Sequence, residues 1–165
     1  MEFNKQNLEY LIEDATYLQD EIEALKYVIH DIPFDEKPGD EDSIIEMIAL
    51  IDHAQLTYYR PILETFRSAK NPNFSNIKPD FRRSFQFGLS DELTVDKVLN
   101  KIIKHRAALL NIAHDIPVIA WQKKGILNGE EISLFDIFQE MIVFERNQLK
   151  KVADRVMALG SERKN

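Results

Sequence analysis

The chain has no cysteine, five glycines, six prolines and a single tryptophan in 165 residues. Without cysteine there is no disulfide, no thiolate nucleophile and no Cys-ligated zinc or iron–sulfur centre. The scarcity of glycine and proline excludes collagen-like and low-complexity chains, and a hydrophobic content of 44% excludes a disordered one. No uncharged apolar run approaches the roughly 18 residues of a membrane span. The opening stretch MEFNKQNLEYLIED is acidic and lacks the apolar core of a secretory leader. Positive charge is the sign in short supply: 21 Lys and Arg face 28 Asp and Glu, a net charge of −7. Such a chain is a poor partner for phosphate backbones and anionic lipid. The expectation is a cytoplasmic protein that binds neither nucleic acid nor membrane.

What is present is helical periodicity. The length fits one domain over residues 1–165, large enough to bury about 68–70% of its unfolded surface without a metal or disulfide. Residues 5–30 carry Leu8, Leu11, Ala15, Leu18, Ile22, Leu25 and Ile29 at alternating three- and four-residue spacings, a helical seam that Pro33 ends. Ser43 with Glu46 three residues on predicts a capped second helix. Its stripe runs through Ile44, Ile48, Ile51, Tyr58 and Ile62, and Pro61 predicts a kink near Thr57–Tyr58. Residues 71–93 break the pattern. They either pack over the helices through Phe74, Phe81, Phe85 and Phe87 or build part of a site. A third helix is expected from Thr94 to His114, then an irregular connection through Pro117, Trp121 and Gly125–Gly129. A last helix capped by Ser133 should run to about Leu159, with Gly160 as its C-terminal stop and a frayed tail at 161–165. No strand-like alternation competes, and the fold class is all-α, a four-helix bundle.

The chemistry-bearing residues are sparse. The four histidines, His30, His53, His105 and His114, never stand three or four residues apart, so no helical turn supplies a His–His metal pair. His30 and His114 each open a His-Asp-Ile-Pro segment at a helix end, where a shared stop and an ancient duplication are both open readings. His105 reads as a boundary residue beside the third seam. No Glu-x-x-His, P-loop, G-x-S-x-G or G-x-G-x-x-G occurs. The weak catalytic candidates are His53, Asp52 and Glu145, with Glu140 as a further carboxylate. Phe81–Phe87 mixes basic and aromatic residues as single-strand binders do, but two arginines are a small footprint on this chain. Gln148 is an anomaly: Met141, Phe144 and Val152 place it on an otherwise apolar stripe, so it needs a partner or opens into a cleft.

The succession Asp42-Ser43-Ile44-Ile45-Glu46-Met47-Ile48-Ala49-Leu50-Ile51, with Gly129, Ser133-Leu134-Phe135 and Phe144-Glu145-Arg146-Asn147-Gln148, resembles the DinB/YfiT-like superfamily. The resemblance takes in the second helix, Arg106, the Trp121–Gly129 crossing and the last helix. It implies an up-down-down-up bundle and a homodimer. Members read Trp-Ser-Ile-x-Glu-Ile-Leu-x-His in the second helix and His-Asp/Glu-x-x-His in the fourth, three histidines forming a metal site. Here the three ligand positions fall on Leu50, Phe144 and Gln148, and the tryptophan position on Asp42. Leucine and phenylalanine offer no lone pair and glutamine only a weak neutral oxygen, so no metal and no other cofactor is expected. What the resemblance leaves is a cleft of Leu50, Phe144, Gln148 and Trp121, holding a small apolar ligand or filled as core. Its alternative is a divalent-metal-dependent thiol S-transferase or hydrolase-like enzyme.

Overall fold

The computed structural model describes residues 1–68, 72–74, 77–78 and 80–164, the last three as backbone only. The chain is mostly helical, with one small two-stranded sheet among the described residues. Helix α1 spans Lys5–Lys26 and starts where the Asn4 side chain accepts the Asn7 amide at 2.7 Å. Its seam is buried at Leu8, Leu11, Ala15, Leu18 and Ile22. It ends a turn before the expected limit at residue 30. Tyr27 caps it, and Leu25 and Ile29 are only half-buried, so the last turn lacks the packing that would hold it in register.

Helix α2 (Ile44–Ala54) begins with the expected capping box, Ser43 Oγ accepting the Glu46 amide at 3.2 Å. It runs through a π-helical turn, Gln55–Tyr59, into α3 (Arg60–Ser68). The Arg60 amide reaches back five residues to Gln55 O. The distortion expected from Pro61 is thus an inserted residue, which rotates the side chains that follow it. Within the irregular crossing, α4 (Phe81–Ser84) is a single turn capped by Asp80. Residues 69–71, 75, 76 and 79 of that crossing lie outside the described residues. Helix α5 (Val95–Asp115) starts at Thr94, whose hydroxyl accepts the Lys97 amide.

Two expectations need correction. The connection at Gly125–Gly129 is a β-hairpin, β1 (Lys124–Leu127) against β2 (Glu130–Ser133), rather than an irregular loop. Asn128 and Gly129 have φ of 55° and 79°, the left-handed pair that closes a two-residue hairpin. Four-residue strands are too short to show alternation, but the Asn-Gly pair announces them. Helix α6 (Leu134–Lys164) passes through Gly160 instead of stopping there. Gly160 is absent from the positive-φ glycines, so it lacks the left-handed turn that ends a helix. Residues 161–164 of the expected tail are helical, and Asn165 lies outside the described residues.

Helix α1 packs on α5 and α6, α2 on α6 and α5, and α3 on α5. The core falls into two apolar clusters. One joins Leu8 and Leu11 to Tyr58, Ile62, Leu109, Trp121 and Phe138, and the other joins Leu18 and Ile22 to Ile48, Ile51, Ile102 and Val152. Among the described residues no helix is long and apolar enough to cross a membrane.

Candidate functional site

Where the two clusters meet, four elements each contribute a polar group. Along α5 the order is Ile102, Arg106, Leu109; along the α2 rod it is Ile51, Gln55, Tyr58; along α6 it is Met141, Glu145, Val152. Arg106 has no exposed surface. Its Nε donates to Gln55 Oε1 at 2.7 Å, its Nη1 to Ala15 O of α1 at 3.0 Å, and its Nη2 to Glu145 Oε1. The small side chain of Ala15 lets the guanidinium come this close to the α1 backbone. Burial raises the Glu145 carboxyl above its ordinary range, and the Arg106 charge offsets only part of that.

The layer continues outward. Gln55 Nε2 donates to Asp52 Oδ1 at 3.1 Å, and His105 Nδ1 stands 2.8 and 2.9 Å from the two Asp52 oxygens. Burial pushes the Asp52 carboxyl up, while the hydrogen bond and charge of His105 pull it back. With the carboxylate ionised, the His105 Nδ1–H is the donor and the ring lone pair resides on Nε2. The result is a carboxylate–imidazole dyad, oriented from behind by an amide and a guanidinium.

The dyad opens into a cleft of about 250 Å³ between α2, α5 and residues 85–87. One wall is the α2 stripe of Ala49, Asp52, His53 and Leu56, and the other is the α5 stripe of Val98, Lys101 and His105. These spacings put each set on one face of its helix. Phe85 and Phe87 stack at 6.3 Å and close one side, with Phe85 also lying 5.4 Å from the His53 ring. His53 Nε2 is 2.9 Å from Ser84 Oγ, which in turn donates to Phe81 O at 3.1 Å. One hydroxyl has one proton, so the His53 Nε2–H donates and its Nδ1 keeps the lone pair.

The residues singled out in the sequence go to different places. Asp52 and His53 line this cleft, but the Asp52 partner is His105, because consecutive helical residues point apart. Glu145 does not line it. That carboxylate is held by Arg106 and borders a separate depression beside α1. Glu140 lies with Phe144 along a shallow groove of α6. Of Leu50, Phe144, Gln148 and Trp121, Phe144 lines the α6 groove, and Gln148 lines a separate hollow with Met47 and Arg82. Leu50 is buried, and Trp121 packs edge-on against Phe138 in the core. Phe144 lies under the Arg82 guanidinium and against Phe81. Gln148 is buried and donates to Met47 O at 3.3 Å, so the polar anomaly of the apolar stripe has its partner. Leucine, phenylalanine and an engaged glutamine do not fit a cation. Among the described residues no three His, Cys, Asp or Glu side chains are grouped so as to hold a metal ion.

Sequence reasoning missed Arg106, Gln55 and His105 as one system. The signal was the one that revealed Gln148. Each of Arg106, Gln55 and Glu145 interrupts an apolar stripe, with hydrophobic residues three or four positions away on both sides or on one. No family model matches the chain, and no curated protein matches its sequence.

Proposed function

We propose that this is a cytoplasmic, metal-free helical bundle of the DinB-like type, a homodimer, and that it binds a small, mostly apolar molecule in the cleft between α2 and α5. The single observation that carries the binding reading is the Asp52–His105 dyad at the polar end of an apolar cleft. Ligand sites combine largely apolar walls with a few oriented polar groups in this way. The four-helix, up-down-down-up architecture draws support from the order of the two clusters along the chain. Helices α1 and α6 run from the cluster of Leu11 and Met141 to that of Leu18 and Val152, whereas α2 with α3 and α5 run the other way. The residues at Leu50, Phe144 and Gln148 support the metal-free part, and the homodimer comes from the resemblance.

Titration of isotope-labelled protein with small aromatic and aliphatic molecules tests the binding reading. The expected outcome is movement of the methyl signals of Ala49, Leu93 and Val98, lost on Phe85→Ala. Perturbation confined to the α6 groove around Phe144 would place binding elsewhere. Elemental analysis of protein purified without a His-tag should find no stoichiometric zinc, nickel or iron. A full equivalent of one of these would favour the metal-dependent transferase instead. Sedimentation equilibrium should give twice the chain mass.

A further inference from the structure

We infer that the ligand of this cleft is a small organic anion with an apolar body, a monocarboxylate being its simplest form. The inference rests on the reading of the cleft as the binding site and adds the chemistry of the occupant. Among the described residues the only acid lining the cleft is Asp52, and its oxygens are engaged by His105 and Gln55. Lys101, the one cation of the lining, makes no hydrogen bond or ion pair among the described residues. Lys101 and His105 stand four residues apart on α5, so ammonium and ring edge share one face.

The chain as a whole carries 28 acids against 21 Lys and Arg. The one acid of the cleft is engaged and its one lysine is not, so the charge left free to meet a ligand is positive. An unpaired ammonium supplies a charge-assisted hydrogen bond to an anion. Leu56, Phe85, Phe87, Leu93 and Val98 offer the organic body a nonpolar wall, which excludes a bare inorganic anion as the preferred occupant. A volume of about 250 Å³ suits a small organic molecule such as a phenylacetate or an octanoate. In the bound state the carboxylate accepts from Lys101 Nζ, and the hydrocarbon runs along Phe85 and Phe87.

Matched pairs separate charge from shape. Phenylacetate and octanoate are titrated alongside phenylacetamide and octanamide, with acetate as the anion that lacks a body, and the Ala49, Leu93 and Val98 methyl signals are followed. The carboxylates should bind at least fivefold more tightly than their amides, and acetate should leave the signals in place. Lys101→Met, at an exposed position whose loss leaves the fold intact, should bring acid and amide to the same affinity. His105→Gln removes no cation from the cleft and should leave the preference for the acid in place. Equal affinity of acid and amide in the unaltered protein would overturn the anion inference and leave the cleft reading standing, as would a preference untouched by Lys101→Met. Failure of acids and amides alike would remove the cleft reading and the inference with it.

Discussion

A guanidinium with no exposed surface is tolerated in a core only when each of its nitrogens has an acceptor and its charge has a counter-ion. Arg106 meets both conditions by reaching three other helical elements at once. Arg106→Ala strands the buried Glu145 carboxylate and Gln55, and should lower the unfolding free energy in urea by about 3–5 kcal/mol. Glu145→Gln keeps an acceptor for Nη2 but removes the counter-ion of a buried guanidinium, and should cost a comparable amount. Asp52 gives a second expectation, in pH. Its carboxyl is held above the ordinary value of 3.8 by burial. A group raised in this way supports the fold fully below its ordinary value, and that support is lost as pH rises through the raised value. Asp52→Asn removes the contribution. The stability difference between the unaltered protein and the variant should therefore decline between about pH 4 and the higher value in the fold, as urea titrations at several pH values would show. Of these residues, Asp52 and Glu145 could be picked out from the sequence as candidates, but their pairings could not. The Asp52–His105 bond joins residues 53 apart, and only the packing of α2 on α5 brings them together.

At the scale of elements, what could be read from the sequence was local. The Ser43 and Ser133 caps act through hydroxyls three residues from the amides they accept, which a linear pattern contains in full. The π turn was foreseen only as a kink, since Pro61 marks a disturbed ladder without saying how the chain resolves it. Its consequence is testable by deleting Thr57, an exposed residue of that turn. Deletion restores α-helical spacing and rotates everything beyond it by about 100°. Tyr58, Ile62 and Phe66 then leave the core or Asp52 and Gln55 leave the layer, and the thermal midpoint should fall steeply. The hairpin depends on another close fit. A Cβ built on Gly125 would stand 2.3 Å from the Phe74 ring, which itself packs 5.3 Å from Phe66. Phe74 is buried and has little room to withdraw. Gly125→Ala should cost about 1–3 kcal/mol in urea unfolding, with Phe74 ring signals displaced.

For the whole molecule, an apolar core divided by one charged layer has a consequence for how the helices find their axial positions. Leucine and isoleucine seams are nearly equivalent one turn along, so a helix displaced by about 5.4 Å still buries hydrocarbon against hydrocarbon. The layer removes that freedom. If α6 slid by a turn, Glu145 would leave Arg106 for an apolar site, and a shift of α1 would take the Ala15 carbonyl out of reach of Nη1. Buried polar groups act as register keys in this sense in coiled coils, at some expense in stability. The triple replacement Arg106→Leu, Gln55→Leu, Glu145→Leu should accordingly retain or raise the unfolding free energy. It should also broaden the amide spectrum and lower the urea m value as alternative alignments become populated. A sharp spectrum with an unchanged m value would mean that side-chain shape alone sets the alignment. The same alignment places Asp52 opposite His105, so loss of the key would blur the cleft, although no member of the triple replacement lines it.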